Sequence, residues 1–261
     1  KSEAATRYLV TGASTIAPIL QKVSERLEAR DPSLRIEVET GGTGRGIKDS
    51  KEALNDLGMA SRDLTDDEKV GLVPIPIAHD GVALIVHASN PLAELTTEQV
   101  VAIYKGEIAD WSALGAPAGD ITVVNKAEGR STLEVFLNHF KLKATEVKAD
   151  VVIGDNAQGV RLVSGDERAL GYVSIGDAER AIENGVPIKL LRYRGVMLSV
   201  LRVTDGSYPI RRTLYLLFRG EPDPVGQQIL DYLAGAEGRT LVQELSFVPL
   251  ASPVAPGNAA Q

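Results

Sequence analysis

Residues Tyr8-Leu9-Val10-Thr11-Gly12-Ala13-Ser14-Thr15-Ile16 compress a strand end, a small-residue turn and a helix start into one stretch. Tyr8 to Val10 is a short apolar run of the kind that makes a buried strand. From Ile16 the apolar positions Ile19, Leu20, Val23 and Leu27 fall at helical spacing, which predicts a helix to Arg30. The pattern then repeats. Leu34, Ile36 and Val38 alternate as a strand, Thr40-Gly41-Gly42-Thr43-Gly44-Arg45-Gly46 forms a glycine-rich loop, and Ile47 to Leu54 reads as a helix. Asp56 to Ala60 is a third short strand, running into Ser61-Arg62-Asp63. Three strands thus each empty into a loop rich in Ser, Thr or Gly.

Further along, Val73 to Pro76 and Val82 to Val86 read as strands, with His79-Asp80-Gly81 as a crossover between them. Thr96 to Tyr104 and Leu133 to Phe140 read as helices. Between them Ile121 to Val124 is a strand that ends in Asn125-Lys126-Ala127-Glu128-Gly129-Arg130-Ser131-Thr132. Leu170 to Ile175 and Tyr208 to Phe218 are strands, and Val225 to Leu233 and Gly238 to Leu245 are helices. The tail from Ala251 to Gln261 is small and Pro/Gly-rich, which predicts disorder. Strands alternating with helices predict an α/β fold with mainly parallel sheets and helices on both faces. In such folds ligands sit at the carboxyl ends of strands, where these loops lie.

The bulk properties narrow the function. The chain has 261 residues, 44% hydrophobic and 24% charged, enough for one large unit or two lobes. A net charge of −7 argues against nucleic acid as a partner, since no basic field exists to collect phosphates. It also means that an anionic ligand must be held by local dipoles and donors. The absence of cysteine excludes thiol catalysis, disulfides and thiolate metal sites. No apolar run approaches the roughly 18 residues that span a bilayer. The start, Lys1-Ser2-Glu3-Ala4-Ala5, has no signal-peptide core, so the chain is either cytosolic or an exported protein whose signal has been removed.

Helix starts offer unpaired amides and a partial positive charge, and Gly, Ser and Thr let an anion approach them. Gly12-Ala13-Ser14-Thr15 fits that chemistry, and equally fits an ordinary helix cap. The loop from Gly41 to Gly46 departs from both nucleotide motifs. Gly42-x-Gly44 is followed by Ile47 where a dinucleotide loop needs glycine, and Ile47 separates Gly46 from Lys48 where a P-loop needs Gly-Lys. It reads as an anion loop or as a flexible turn. In the third loop Arg130 is placed to grip an oxyanion through both arms while Ser131 and Thr132 donate hydroxyls, or else the segment is a cap with a solvated arginine.

Taken in order, these pieces resemble the phosphate-binding proteins of bacterial phosphate ABC transporters, which are type II periplasmic binding proteins. The resemblance runs from Tyr8 to about Leu250. It rests on Thr11-Gly-Ala-Ser-Thr-Ile-Ala-Pro18, Gly41-Gly-Thr-Gly-Arg-Gly-Ile-Lys48, Asp56-Leu-Gly-Met-Ala-Ser-Arg62, Asp80-Gly-Val-Ala-Leu-Ile-Val86, Ile103-Tyr-Lys-Gly106 with Trp111, Glu128-Gly-Arg-Ser-Thr132 and Leu170-Gly-Tyr-Val173. The resemblance implies two lobes, residues 1–79 with 204–261 and residues 80–203, closing on a ligand in the cleft. It implies ligand contacts from Ser14, Thr15, Thr43, Gly44, Ser61, Arg130, Ser131 and Thr132, with Arg45, Arg62, Lys126 and Asn156 as further candidates. It also implies an ABC permease as partner, an extracytoplasmic location, a monomer, and no cofactor, metal or catalytic residue.

Two departures from the family pattern bear on the ligand. Lys126 stands where the family's motif has an arginine, and Arg130-Ser131-Thr132 replaces Ser-Gly-Thr. Ser61 stands where some members carry an aspartate that accepts a hydrogen bond from protonated phosphate and repels fully ionised sulfate. Asp63, Asp80 and Glu128 are substitute acceptors, while Arg62 either adds positive charge or pairs with a surface acid. Sulfate, molybdate or a phosphonate is therefore the alternative ligand. A phosphatase is the other alternative, but His79, His87 and His139 form no ligand pattern and neither Ser14 nor Ser131 has an evident base.

Overall fold

The computed structural model describes residues 6–250. The tail from Ala251 to Gln261, for which the sequence predicts disorder, lies outside the described residues. In chain order the strands are β1 Thr6–Gly12, β2 Leu34–Thr40, β3 Leu57–Ala60, β4 Val73–His87, β5 Glu94–Leu95, β6 Thr122–Lys126, β7 Val151–Ile153, β8 Ala169–Ser174, β9 Ile188–Leu190, β10 Arg192–Tyr193, β11 Arg211–Phe218 and β12 Val248–Pro249. The helices are α1 Ala17–Arg30, α2 Gly42–Lys51, α3 Asp66–Lys69, α4 Thr97–Tyr104, α5 Ser131–Phe140, α6 Asn156–Gly165, α7 Ile175–Glu183, α8 Val200–Thr204, α9 Pro224–Ala234 and α10 Ala236–Glu244.

The chain divides into two compact units, residues 1–79 with 212–261 and residues 80–211. The second division falls at 211/212, not at 203/204. Tyr208 and Ile210 account for the difference: the Tyr208 hydroxyl donates to the Val82 carbonyl at 2.9 Å, and the Val82 amide donates to the Ile210 carbonyl at 3.0 Å. Both contacts tie residues 208–210 to the second unit. β4 runs without interruption through His79-Asp80-Gly81, so the first division lies inside a strand.

In the first unit β2, β1 and β3 are parallel neighbours, and β11 adds antiparallel to β3. The sheet is therefore parallel at its centre with an antiparallel return strand. Side chains leave alternate faces of a strand, and two apolar clusters follow that rule. Leu57 and Met59 of β3 with Leu214, Leu216 and Phe218 of β11 join the cluster under α1, α9 and α10. Ala60 and Leu217 join Ile47 of α2 on the other face.

α2 begins at Gly42, so most of the stretch expected as a glycine-rich loop is already helix. Gly12 and Gly46 serve close approach. A Cβ on Gly12 would lie 2.3 Å from the Met59 carbonyl oxygen, and one on Gly46 would lie 2.5 Å from the same oxygen. Only bare backbone lets α2 pack this near the ends of β1 and β3.

In the second unit β7, β6 and β8 are parallel, and β4 and β9 close the order with antiparallel pairs. Its core is aromatic. Phe136 of α5 stacks on Tyr172 of β8 with ring centroids 4.0 Å apart and planes within 3°, and Tyr104 tilts against both. Such a stack contributes about 1 kcal/mol beyond the area it buries. It seats α5 on the sheet and so fixes where the loop after β6 ends.

Candidate functional site

Parallel pairing brings the carboxyl ends of β1, β2 and β3 to one edge of the first unit. After β1 the Ala13 amide donates to the Met59 carbonyl at 3.0 Å, and the amides of Ile16 and Ala17 turn back to the Ala13 carbonyl. Among the described residues, the amides of Ser14 and Thr15 meet no backbone acceptor. Ser14 is exposed, whereas Thr15 is buried. The Gly41 amide donates to the Gly12 carbonyl at 3.1 Å, which holds the second loop beside the first. Thr43 and Gly44 then occupy the first turn of α2, where amides have no intrahelical acceptor.

The hydroxyls of these loops meet. Thr43 Oγ1 accepts the Ser61 amide at 3.0 Å and lies 3.1 Å from Ser61 Oγ. Arg212, at the start of β11, donates to Thr15 Oγ1 at 3.1 Å and makes a longer contact of 3.4 Å to Ser61 Oγ. Thr15, Thr43, Ser61 and Arg212 therefore form one polar cluster. Nothing in the sequence singles out Arg212: an Arg-Arg pair ahead of an apolar run reads as a solvated strand start. Its placement depends on the antiparallel order of β11, which sets its first residues beside the last residues of β3.

A buried network supports the cluster from below. Thr11 Oγ1 donates to Asp49 Oδ2 at 2.9 Å and accepts from the Asn55 amide nitrogen at 2.9 Å. Arg45 Nε donates to the same Asp49 oxygen at 3.1 Å, and its other nitrogens hold Glu39 at 2.6 Å and the Thr40 carbonyl at 2.9 Å. Arg45 thus ties β2 to α2. Arg62 is similarly committed, with two nitrogens on the Glu68 carboxylate at 2.8 and 2.9 Å. That fork and the Thr65 amide pull the Glu68 carboxyl down to about 2. Of the two readings of Arg62, pairing with a surface acid is the one the structure contains. Asp63 accepts from the Tyr215 hydroxyl.

In the second unit Arg130 is the N-cap of α5 and is exposed, with its guanidinium beside Gly154. Ser131 Oγ donates to the buried carboxylate of Asp80 through a short hydrogen bond, and Thr132 is buried. Lys126 is also buried, and its ammonium donates to Asn156 Oδ1 at 2.6 Å. Asn156 in turn donates to Asp177 at 2.7 Å and accepts from the Ser174 amide at 3.2 Å. Burial pushes the Lys126 ammonium down to about 8, against the opposing pull of Asp155, Asp177 and Asp80, with Arg130 adding to the fall. Lys126 and Asn156 thus share one contact, while Arg130, Ser131 and Thr132 follow each other along the start of α5.

The histidines pair separately: His79 with Thr213, His87 with Ser89 and His139 with Tyr193. Among the described residues no cluster of three His, Cys, Asp or Glu side chains could hold a metal. No helix there is long and apolar enough to cross a membrane.

Comparison with known proteins places this architecture. The model of the PBP superfamily domain matches residues 1–237. The phosphate-binding protein PstS of Borreliella burgdorferi is 23% identical over 250 residues, covering 92% of this chain and 88% of that protein. The fold matches the crystal structure of an ABC-type phosphate transport receptor from Vibrio cholerae with a TM-score of 0.81, 24% identity, and coverage of 93% of this chain and 99% of that one. A putative phosphate ABC transporter substrate-binding protein from Clostridium perfringens, solved with bound phosphate, is 29% identical with a TM-score of 0.66, covering 94% of this chain and all of that one.

Proposed function

The chain belongs to the PBP superfamily, and from that premise we propose that it binds inorganic phosphate and delivers it to an ABC permease. The observation that carries this reading is the meeting of Thr15, Thr43 and Ser61 at the ends of β1 and β3 and the start of α2. Hydroxyls can donate as readily as they accept, and the amides of Ser14, Thr15 and Gly44 lie beside them. Neutral donors of this kind hold an anion although the chain as a whole is acidic. Arg130, Ser131 and Thr132, at the start of α5 in the second unit, are proposed as further ligand contacts. The names of the relatives support the ligand, since the PstS protein and both transport receptors are named for phosphate. On this reading the protein works outside the cytoplasmic membrane as a monomer and performs no chemistry on its ligand.

Isothermal titration with phosphate, arsenate, sulfate and molybdate tests it. Tight binding of phosphate and arsenate supports the reading; no heat with phosphate alongside tight binding of sulfate or molybdate overturns it. The second outcome has its own motive, because the first-unit cluster presents Ser61 where a carboxylate would refuse a fully ionised oxyanion.

A further inference from the structure

We propose that Arg212 supplies the guanidinium of the oxyanion site, held ready by the hydroxyls of Thr15 and Ser61. This rests on the phosphate reading of the same cluster and adds the residue that reads the ligand's charge.

β11 is antiparallel to β3, with Leu216 opposite Met59 and Tyr215 opposite Ala60. Its amino end therefore arrives where the parallel strands leave their carboxyl ends. Arg212 shares the alternation of Leu214, Leu216 and Phe218, which face the cluster packed on α1. Its side chain accordingly emerges on the face where Thr15 precedes α1, and the hydrogen bond between them confirms the direction.

Terminal nitrogens of Arg212 reach hydroxyls from two different loops. A guanidinium fork matches the edge of a tetrahedral oxyanion, and a charge-assisted bond to an anion is about twice as strong as one to a neutral oxygen. Thr15 and Ser61 are 9% and 6% exposed, so the bonds form where water competes little. When an anion arrives, each hydroxyl can rotate its proton toward it while still accepting from Arg212. The three groups then act together without moving.

Arg45 is spent on Glu39 and Asp49, and Arg62 on Glu68. Arg130 is exposed at the cap of α5. Arg212 is the one of the four whose contacts are with the very hydroxyls proposed to hold the ligand.

The test is titration of the full chain with inorganic phosphate, using wild type, Arg212→Gln, Arg212→Lys and Arg7→Gln, with melting curves taken without phosphate. Loss of two charge-assisted bonds predicts that Arg212→Gln binds about 100-fold more weakly. Arg212→Lys keeps the charge but not the fork, and should lose about tenfold. Arg7→Gln, at an exposed arginine that pairs with Glu37 near the start of β1, should stay within about threefold. If Arg212→Gln does not fold, the lysine variant decides. Binding by the Arg212 variants within about threefold of wild type overturns the proposal, because two lost bonds cannot be that small. If wild type gives no heat with phosphate, the phosphate reading falls separately. The same variants are then read by the melting shift that sulfate or molybdate produces. A shift lost in Arg212→Gln supports the assignment, an unchanged shift overturns it, and no shift in wild type with either ion overturns it too.

Discussion

Thr43 Oγ1 accepts the Ser61 amide at 3.0 Å, so a single threonine fastens the first turn of α2 to the end of β3. Thr43→Val keeps the shape but leaves that amide without its acceptor. The expected cost is about 1–3 kcal/mol in urea denaturation, with phosphate binding weakened about tenfold or more. Thr43→Ser should restore both. A valine variant that binds like wild type would detach Thr43 from the site.

Gly46→Ala sets two effects against each other. Alanine favours a helix over glycine by about 1 kcal/mol. The new Cβ, however, would lie 2.5 Å from the Met59 carbonyl oxygen and 3.1 Å from the Gly12 Cα, both backbone atoms that cannot swing away. Overpacking of this kind costs about 1–3 kcal/mol. Net destabilisation is expected, together with weaker phosphate binding as α2 is pushed off the strand ends. A rise in melting temperature would contradict the packing argument.

Lys126 predicts a pH dependence of stability. Its ammonium titrates near 8 in the folded chain, against 10.5 when unperturbed. Between those values the unfolded chain binds more protons, so stability rises with pH across that window. Below pH 8 the charged group costs up to about 3 kcal/mol relative to an exposed lysine. Lys126→Met should therefore remove the rise between pH 8 and 10.5, measured by denaturation without phosphate. A rise of equal size in the variant would assign it to other groups.

Arg62→Gln should leave phosphate affinity within about threefold, since the guanidinium is committed to Glu68. Its stability cost at neutral pH should stay below about 1 kcal/mol, as for a surface ion pair. The Glu68 carboxyl is depressed from 4.5 to about 2, so this contribution is present above pH 4.5 and is lost as pH falls toward 2. Acid denaturation curves of variant and wild type should converge there.

Those residues also show what the sequence discloses. The strand–loop–helix pattern around Ser14-Thr15 and the strand before Ser61 are local, so hydrophobic spacing and small residues suffice to find them. The start of α2 is hidden, because Gly42, Gly44 and Gly46 argue for a loop, and the reason for Gly46 is contact with Met59 and Gly12, distant in sequence. The partners of Arg45 and Arg62 depend on side-chain geometry that spacing does not fix. Arg212 is the extreme case. Its neighbours are Thr15 and Ser61 only because β11 is inserted antiparallel beside β3, a matter of strand order and not of any motif.

That insertion has a consequence for synthesis. The second unit is one uninterrupted segment, whereas the first needs residues from both sides of it. A ribosome that has finished residue 211 has made all of the second unit, while β3 still lacks β11 along one edge. An unpaired strand edge invites pairing with another chain. The nascent protein must therefore carry an open sheet through the making of 132 residues, from Asp80 to Arg211, before its last segment can seal it and bring Arg212 to the site.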